Sequence, residues 1–242
     1  VTVTAIFSED SAIKQYSLIE DEWIDYVDGV VFTENGSVKF RGQDKAGNWS
    51  DITTYNVDNI DLTPPEAPTA SADKTSPTNT KVTVTAIFSE DSVVKEYSLI
   101  EGEWVDYIGE VIFTENGSIN FRGQDEAGNC SDITTYNVDN IDKIPPETPT
   151  ASADKTSPTN TEVTVKAIFS DDSIVRQYNK DNNGWINYVD GVVFTKNGSV
   201  KFRGQDEAGN YSDETIYTVD NIDTTDPYLD ITFNKDEWYK DS

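Results

Sequence analysis

The sequence predicts an all-β protein made of tandem seven-stranded β-sandwiches, and three observations lead to this prediction. The first is that its 242 residues repeat at a fixed interval. The second is the alternation of apolar and polar residues in short runs, which is typical of half-buried strands. The third is a set of turn sequences, rich in Asn, Asp and Gly, that recurs between those runs.

The repeat is clearest in a run of ten residues that begins at Val1 and recurs at Val82 and, slightly changed, at Val163. The interval is 81 residues both times, and a fixed period without insertions is typical of a tandem array. Proline-rich joints at 63–68 and 144–149 indicate the boundaries between units. The predicted units are 1–61, which lacks its first strand, the complete units 62–142 and 143–223, and 224–242, the start of a diverged unit or a donated strand. Because the first predicted unit lacks a strand and the last is only begun, we expect the chain to be a segment of a longer polypeptide.

The second unit is intact and shows the strand pattern best. Val82 to Phe88 alternates between apolar and polar residues, as expected for a strand with one buried face. The pair Asn116-Gly117 stands between two apolar runs and predicts a β-hairpin with a type I′ turn. A second turn, at 125–129, precedes the last strand. The seven predicted strands are 68–72, 82–88, 93–99, 104–107, 111–113, 118–122 and 132–138.

Seven aromatic positions recur in all three units, and we expect most of them to fill the cores. In the second unit they are Phe88, Tyr97, Trp104, Tyr107, Phe113, Phe121 and Tyr136. The alternative for Trp104 and its equivalents is a carbohydrate platform, which would require exposed indole rings. The single cysteine, Cys130, occupies a position held by Trp49 and Tyr211 in the other units. We expect it to be a half-buried filler beside a turn rather than a catalytic thiol.

Composition excludes several classes of function. The chain has no histidine and one cysteine, so His-based triads, His-based zinc sites and internal disulfides are excluded. Its net charge of −27 repels phosphate and argues against a nucleic-acid partner. No stretch approaches the roughly 18 apolar residues that a membrane span needs. Near-copies in tandem, without a nucleophile motif or a phosphate-binding glycine loop, indicate that the segment is not an enzyme.

The repeating elements are a Tyr-Ser strand, Trp-x-x-Tyr, Asn-Gly-Ser, Asp-x-Ala-Gly-Asn, Tyr-x-Val-x-Asn-Ile-Asp and a Thr-Pro-Pro joint. This pattern resembles the tandem bacterial immunoglobulin-like (Ig-like) domains of large cell-surface proteins and adhesins. The resemblance covers 62–223 and most of 1–61. It implies an Ig-like sandwich that acts as an extracellular spacer or stalk, in some units with bound calcium or binding activity.

Alternating strands, odd in number, put the two ends of a unit at opposite poles, so we expect the units to be strung end to end as an elongated rod. Two loops of one unit and the tail of the preceding unit should then meet at each junction. The acidic residues predicted there are Asp58, Asp61, Glu90, Asp91 and Asp125 at the first junction and Asp139, Asp142, Asp171, Asp172 and Asp206 at the second.

Calcium takes about 6–8 oxygen ligands, so these acidic residues predict junctions stiffened by calcium. Two alternatives stay open. The Asp of Asp-x-Ala-Gly-Asn is often a turn former that binds its own backbone. The prolines at 64 and 65 can stiffen a joint without a metal.

The predicted function is a structural stalk or spacer in a bacterial extracellular or cell-surface protein, such as an adhesin or a surface filament. The alternative is a module for cell adhesion that binds carbohydrate or protein through its pole loops or an exposed Trp. The expected partners are the neighbouring repeats, other copies in a fibre that add residues 224–242 as a strand to the open first unit, and a surface glycan or host protein.

Overall fold

The computed structural model describes residues 1–19, 22–99 and 102–232, and every regular element within them is a β-strand. Six strands lie in the first repeat: β1 (Thr2–Val3), β2 (Ser11–Ser17), β3 (Ile24–Asp25), β4 (Val30–Val31), β5 (Gly36–Asp44) and β6 (Thr53–Val57). Seven lie in the second: β7 (Thr69–Ala72), β8 (Val82–Ile87), β9 (Val94–Ser98), β10 (Val105–Asp106), β11 (Glu110–Phe113), β12 (Gly117–Gln124) and β13 (Thr134–Val138). Seven lie in the third: β14 (Thr150–Ala153), β15 (Val163–Ile168), β16 (Val175–Lys180), β17 (Ile186–Asn187), β18 (Val192–Phe194), β19 (Gly198–Gln205) and β20 (Thr215–Val219).

The seven strands of each complete repeat form two sheets. In the second repeat the sheet orders are β11-β8-β7 and β10-β9-β12-β13, and in the third they are β14-β15-β18 and β17-β16-β19-β20. Strands one, two and five thus face strands three, four, six and seven, which is an Ig-like two-sheet sandwich whose fourth strand pairs with the third. The predicted fold class of tandem seven-stranded sandwiches is therefore confirmed, whereas the rod-like arrangement stays a prediction.

The first repeat has an incomplete version of the same fold. Its four-stranded sheet, β3-β2-β5-β6, is present in full. Its other sheet contains only β1 and β4, because residues 1–61 include no counterpart of β7. The strand equivalent to β8 is correspondingly short, since β1 ends at Val3.

The chain divides into two compact units that do not follow the 81-residue repeat. The first consists of Val1–Asp73, Thr83–Ile112 and Gly117–Asn137, and the second of Lys74–Val82, Phe113–Asn116 and the chain from Val138 onwards. The repeat boundaries therefore stay a prediction. Residues 224–232 are exposed and form no strand, and the rest of the predicted tail lies outside the described residues.

The core of the third repeat shows why alternation works as a signal. Val163 and Val165 of β15 are fully buried and Ala167 packs against the same core, while Lys166 and Ile168, which alternate with them, are exposed. Phe202 of β19 meets Phe169 edge to face, with ring centroids 6.4 Å apart. The buried cluster consists of Val163, Val165, Phe169, Val192, Phe194, Val200, Phe202, Val219 and Ile222. The core prediction is thus confirmed for the phenylalanines, and Trp185 lies outside this cluster.

The tyrosine of Trp-x-x-Tyr joins the two sheets of each repeat. Its ring packs edge to face on the core phenylalanine, as Tyr107 does on Phe121 at 5.6 Å. Its hydroxyl oxygen accepts a hydrogen bond from the backbone N–H of Ala86 at 2.9 Å. The same bond is present in the first repeat, from Ala5 to Tyr26, and in the third. This side chain therefore combines core packing with satisfaction of a backbone donor.

The predicted Asn-Gly hairpin is wrong. β11 pairs with β8, and β12 pairs with β9 and β13, so the connection through Asn116 crosses from one sheet to the other. Gly117 is not among the glycines with positive φ, which a type I′ turn would require. The two apolar runs face each other across the core instead of sharing a ladder.

Asn116 has a different role, which is to hold the end of its repeat. Its side-chain amide donates to the carbonyl of Ile141 at 2.9 Å and accepts from the N–H of Ile141 at 2.8 Å. Asn35 binds Ile60 in the same way, and Asn197 binds Ile222. One amide side chain thereby satisfies both backbone groups of the Asn-Ile-Asp segment that leaves each repeat.

We expect Asn197→Ala to loosen the end of the third repeat, because Ile222 loses both backbone hydrogen bonds. Amide hydrogen exchange at Ile222 should become at least about fivefold faster, since a hydrogen bond contributes about 0.5–1.5 kcal/mol. The matched variant Asn35→Ala should accelerate exchange at Ile60 and leave Ile222 unchanged. Unaltered exchange at Ile222 in Asn197→Ala would show that this clamp contributes nothing.

Candidate functional site

The candidate site is the Asp-x-Ala-Gly-Asn turn together with the segment that leaves the preceding repeat. In the second repeat the turn closes through backbone bonds between Asp125 and both Gly128 and Asn129. Gly128 has φ +94°, a conformation that favours glycine. Asp125 Oδ1 accepts from the Asn129 N–H and its Oδ2 accepts from Asn129 Nδ2, each at 2.8 Å. The aspartate is therefore the organiser of this turn.

The charge of this aspartate is stabilised by the same contacts. The Asn129 side-chain amide, followed by backbone N–H groups of the turn, lowers the pKa of Asp125 below its usual value. Asp44, its counterpart in the first repeat, has a lowered pKa for the same reason, with Asn48 as the main donor. Since the folded pKa is depressed, the carboxylate stabilises the turn above pH 3.8, and this contribution is lost as the pH falls through the folded pKa.

The asparagine of the turn also reaches the preceding repeat. Asn129 Nδ2 donates to the carbonyl of Asp61 at 3.1 Å. One period later, Asn210 Nδ2 donates to the carbonyl of Asp142 at 3.0 Å. The side chain of Asp61 meanwhile accepts from the N–H of Thr63 at 2.9 Å, which fixes the start of the proline-rich joint. The same contact pattern therefore recurs at both junctions.

The third repeat has one further junction contact. The backbone N–H of Asn79 donates to the carbonyl of Ala208 at 3.1 Å. Ala208 is accordingly buried, whereas its counterpart Ala127 is exposed. The turn of the first repeat, which has no preceding repeat among the described residues, is the most open of the three, with Asn48 exposed. The burial of each turn thus follows how much of a preceding repeat covers it.

The predicted calcium ligands are distributed unevenly. Asp125 and Asp206 are buried, and both oxygens of each carboxylate accept hydrogen bonds from the asparagine of their own turn. Asp61 and Asp142 contribute backbone carbonyls to the junction and use their side chains locally. The remaining predicted ligands are exposed: Asp58, Glu90, Asp91, Asp139, Asp171 and Asp172.

As placed, these residues do not form a ready-made chelating cluster. Within residues 1–19, 22–99 and 102–232, no group of three or more Asp, Glu, Cys or His side chains could hold a metal ion. The carboxylate of Asp125 is already engaged by two N–H donors of Asn129. Calcium binding at the junctions therefore stays a prediction that none of these contacts requires.

A second surface feature was not anticipated from the sequence. On the four-stranded sheet of each repeat, an arginine stacks on the indole ring of the Trp in Trp-x-x-Tyr. The distances from the guanidinium carbon to the ring centroid are 3.9 Å for Arg41 and Trp23, 4.1 Å for Arg122 and Trp104, and 4.0 Å for Arg203 and Trp185. The arginines of the first and third repeats have a second ring on their other face, Trp49 and Tyr211, each at 4.0 Å. These are cation–π sandwiches at the surface.

The second repeat replaces half of the sandwich by an ion pair. Cys130 stands where the second ring would be, and it is exposed rather than half-buried as predicted. Arg122 Nε instead contacts Glu96 Oε2 at 2.8 Å. In the first repeat the equivalent acceptor is the neutral Gln15, and in the third it is Gln177. The repeat whose arginine lacks a second aromatic ring is thus the one in which that arginine has a charged partner, Glu96.

The stacks bear on the predicted carbohydrate platform. Trp104 is half-buried, and one face of its indole is covered by Arg122. The more exposed rings are the outer members of the sandwiches, Trp49 at 44% and Tyr211 at 45%. Binding of carbohydrate stays a prediction.

No family model matches the sequence, and no curated protein matches it. Three solved structures are similar at low identity. Fibronectin(III)-like modules of Clostridium thermocellum CbhA share 11% identity, covering 68% of this chain and 100% of theirs, with a TM-score of 0.32. The full ectodomain (Ig1–Ig3) of mouse nectin-like molecule 4 shares 12% identity, covering 90% and 92%, with a TM-score of 0.37. The tetra-tandem repeat in the extending region of a large adhesion protein shares 16%, covering 88% and 68%, with a TM-score of 0.25.

These similarities are to Ig-like and fibronectin-like modules and to tandem repeats, the kinds of module that the sequence resembles. Because these three TM-scores are below 0.5, the fold assignment rests on the strand order of the chain itself, and no function follows from the three similarities. In the part of the chain that the structure describes, no helix has the length and apolar character needed to cross a membrane.

The cation–π stacks predict opposite effects on stability for two substitutions at the same position of different repeats. Cys130→Tyr should give Arg122 a second ring and raise the free energy of unfolding by about 0.5–1 kcal/mol, the value for an exposed cation–π contact. Tyr211→Cys should remove a ring from Arg203 and lower it by a similar amount. Urea denaturation under reducing conditions measures both. Shifts in the same direction for the two variants would contradict a stabilising stack.

Proposed function

We propose that this chain is a spacer segment of an extracellular or cell-surface protein, in which successive sandwiches hold other parts of the molecule at a distance. The observation that carries the proposal is the contact repeated at both junctions, from Asn129 to Asp61 and from Asn210 to Asp142. A spacer needs joints that resist bending, and a binding module does not. Proteins that work as tandem arrays depend on such contacts between neighbouring units.

Two further features support this proposal. Each segment that leaves a repeat is held to its own sandwich, as Ile141 is by Asn116, so the joint begins from a fixed point. The joint then contains Pro-Pro, and Pro145 is exposed whereas Pro146 is buried. Proline restricts the backbone, so a proline-rich linker is extended and semi-rigid although it forms no regular secondary structure. The free length between two repeats is therefore short.

The charge fits an exposed array without catalytic chemistry. A net charge of −27 gives a repulsive surface that opposes association of neighbouring copies. The pKa of Asp125 is lowered rather than raised, so this buried carboxylate is a structural anion and not a proton donor at neutral pH. We propose that the segment is not an enzyme.

Small-angle X-ray scattering tests the spacer directly. Sandwiches of on the order of 40 Å placed end to end give a rod with a radius of gyration of about 35 Å. A compact chain of this length would have about 18 Å, and that value would contradict the proposal.

Junction variants refine the same measurement. The double variant Asn129→Ala/Asn210→Ala should lower the radius of gyration and broaden the distance distribution, because both junction hydrogen bonds are lost. Asn48→Ala is the matched control, since Asn48 makes the same contacts within its turn without reaching a preceding repeat. Equal profiles for the double variant and the control would show that these bonds do not stiffen the joints.

Calcium is the other proposed means of stiffening, and thermal denaturation tests it independently. If calcium occupies the junctions, the midpoint should rise by several degrees between EDTA and millimolar calcium, because a ligand stabilises the state that binds it. The rise should disappear in the double variant Asp125→Asn/Asp206→Asn, which removes the predicted turn ligand of both junctions. Identical midpoints in EDTA and in calcium would remove the metal from the proposal and leave the asparagine contacts.

A further inference from the structure

Four Asn-Gly pairs occur in this chain, and the structure places them in two different settings. Three of them recur at the same position of the repeats and begin at Asn35, Asn116 and Asn197. The fourth, Asn183-Gly184, lies in the loop between β16 and β17 of the third repeat. It has no counterpart in the other repeats, since the second repeat has Gly-Glu at this position.

An Asn-Gly pair can lose its side-chain amide by reaction with its own backbone. The backbone nitrogen of the glycine gives its proton to solvent and attacks Cγ of the asparagine, so that an N–Cγ bond forms. The Cγ–Nδ2 bond then breaks, and ammonia leaves with a proton from solvent. Water opens the resulting five-membered succinimide ring at either of its two carbonyl carbons, which gives aspartate or isoaspartate. Water is the co-reactant, nothing is oxidised or reduced, and glycine favours ring closure because it has no Cβ and its backbone rotates freely.

At the repeated position the side-chain amide is held at both ends. Asn197 Nδ2 donates to the carbonyl of Ile222 at 3.0 Å, and Asn197 Oδ1 accepts from the N–H of Ile222 at 2.9 Å. Asn116 holds Ile141 by the same two bonds, at 2.9 Å and 2.8 Å. We call this pair of bonds the asparagine clamp. The Cγ atom cannot turn towards the following nitrogen until the clamp opens.

The glycine of the repeated pair is also restrained. Gly198 is the first residue of β19 and is paired with Val219 of β20. A Cβ at Gly198 would lie 2.6 Å from Asp181 Oδ1 and 3.1 Å from the ring of Phe194, so the backbone here is closely surrounded. Ring closure at Asn197 therefore requires both the clamp and the start of the strand to open.

The fourth pair lacks these restraints. Asn183 and Gly184 are exposed and lie outside the strands, and the Asn183 side chain makes no hydrogen bond within the part of the chain that the structure describes. Gly184 has φ +100°, and a Cβ placed on it would have no heavy atom within 4 Å apart from its chain neighbours. One bond holds the nitrogen that would attack, because the N–H of Gly184 donates to Asn179 Oδ1 at 3.2 Å.

We propose that Asn183 is the residue at which the folded protein deamidates, and that the asparagine clamp protects the same dipeptide at Asn116 and Asn197. The product adds a negative charge to a loop that already contains Asp181, and isoaspartate also lengthens the main chain by one methylene group. The segments that leave the repeats keep their clamps. This inference concerns a modification site and does not depend on the spacer function.

The test is incubation of the whole native chain in a mildly alkaline buffer made with water that carries heavy oxygen. The water that opens the succinimide leaves its oxygen in the product, so mass spectrometry of peptides digested in ordinary water detects only the deamidation that preceded digestion. We expect Asn183 to react at least about fivefold faster than Asn116 and Asn197, because one hydrogen bond must break at Asn183 and two or more at the clamped residues. Equal rates at the three residues would overturn the proposal.

The same incubation in urea separates the effect of the fold from that of the neighbouring sequence. In the unfolded chain the clamps and strands are lost, so the Asn-Gly pairs should react at similar rates. A preference for Asn183 that persists in urea would show that its sequence neighbours select it, and it would overturn the protective role of the clamp.

One variant tests the restraint on the attacking nitrogen. Asn179→Ala frees the N–H of Gly184 and should accelerate deamidation at Asn183 about three- to tenfold, the effect of one lost hydrogen bond. The rate at Asn116, which is in another repeat, is the internal control and should not change. A slower reaction at Asn183 in this variant would contradict the proposed attack by Gly184.

A second variant tests the clamp. The side chain of Asn221 donates to the carbonyls of Lys155 and Ser157 and so holds the residue that precedes Ile222. Asn221→Ala should accelerate amide exchange at Ile222 and deamidation at Asn197 together, with Asn116 unchanged. Faster exchange at Ile222 without faster deamidation at Asn197 would show that the clamp does not protect this asparagine.

Discussion

Asparagine side chains that bind backbone groups are the interaction on which the rest of this structure depends. Asn116 ties the segment that leaves the second repeat to its own sandwich, and Asn210 ties the third repeat to that segment. An amide can donate and accept at once, so one residue replaces a whole rung of a β-ladder. The sandwiches themselves need only alternating valines and a few edge-to-face rings. Their succession needs these amides, because a proline-rich joint has few backbone donors of its own.

Most of the fold could be predicted because its signals are local. Alternation in Val82–Ile87 and the positions of the phenylalanines gave seven strands whose bounds differ from the observed ones by a few residues. The hairpin at Asn116-Gly117 was wrong because a turn signal cannot tell a ladder from a crossing between sheets. Sheet pairing depends on contacts distant in sequence, which propensity does not encode.

The site was predicted only in part, and for a related reason. The sequence pointed to this turn and to the tail of the preceding repeat as the parts that meet. The acidic residues there predicted a contact through carboxylates, whereas the contact is made by the side-chain amide of Asn129. The carboxylate of Asp125 serves its own turn, and the contact across the junction is made by a neutral group. The recurrence of Asn at each of these positions was the available signal. The stacks of Arg41 and Arg203 were missed because their ring partners lie outside the strands that carry the arginines, in loops that follow or precede other strands.

The identity of Val1–Asp10 and Val82–Asp91 in neighbouring repeats has a consequence for how the polypeptide folds. Because Val1–Asp10 and Val82–Asp91 offer the same surface, the edge segment of one sandwich can be captured by another before its own partner arrives. Misassembly between near-identical neighbours is a known failure of repeat proteins. Trp49, Cys130 and Tyr211 differ between the repeats, but each of them bridges to a glutamine of the four-stranded sheet and not to the edge that would be exchanged. A sandwich that closes during synthesis, before the next copy emerges, meets no such competitor.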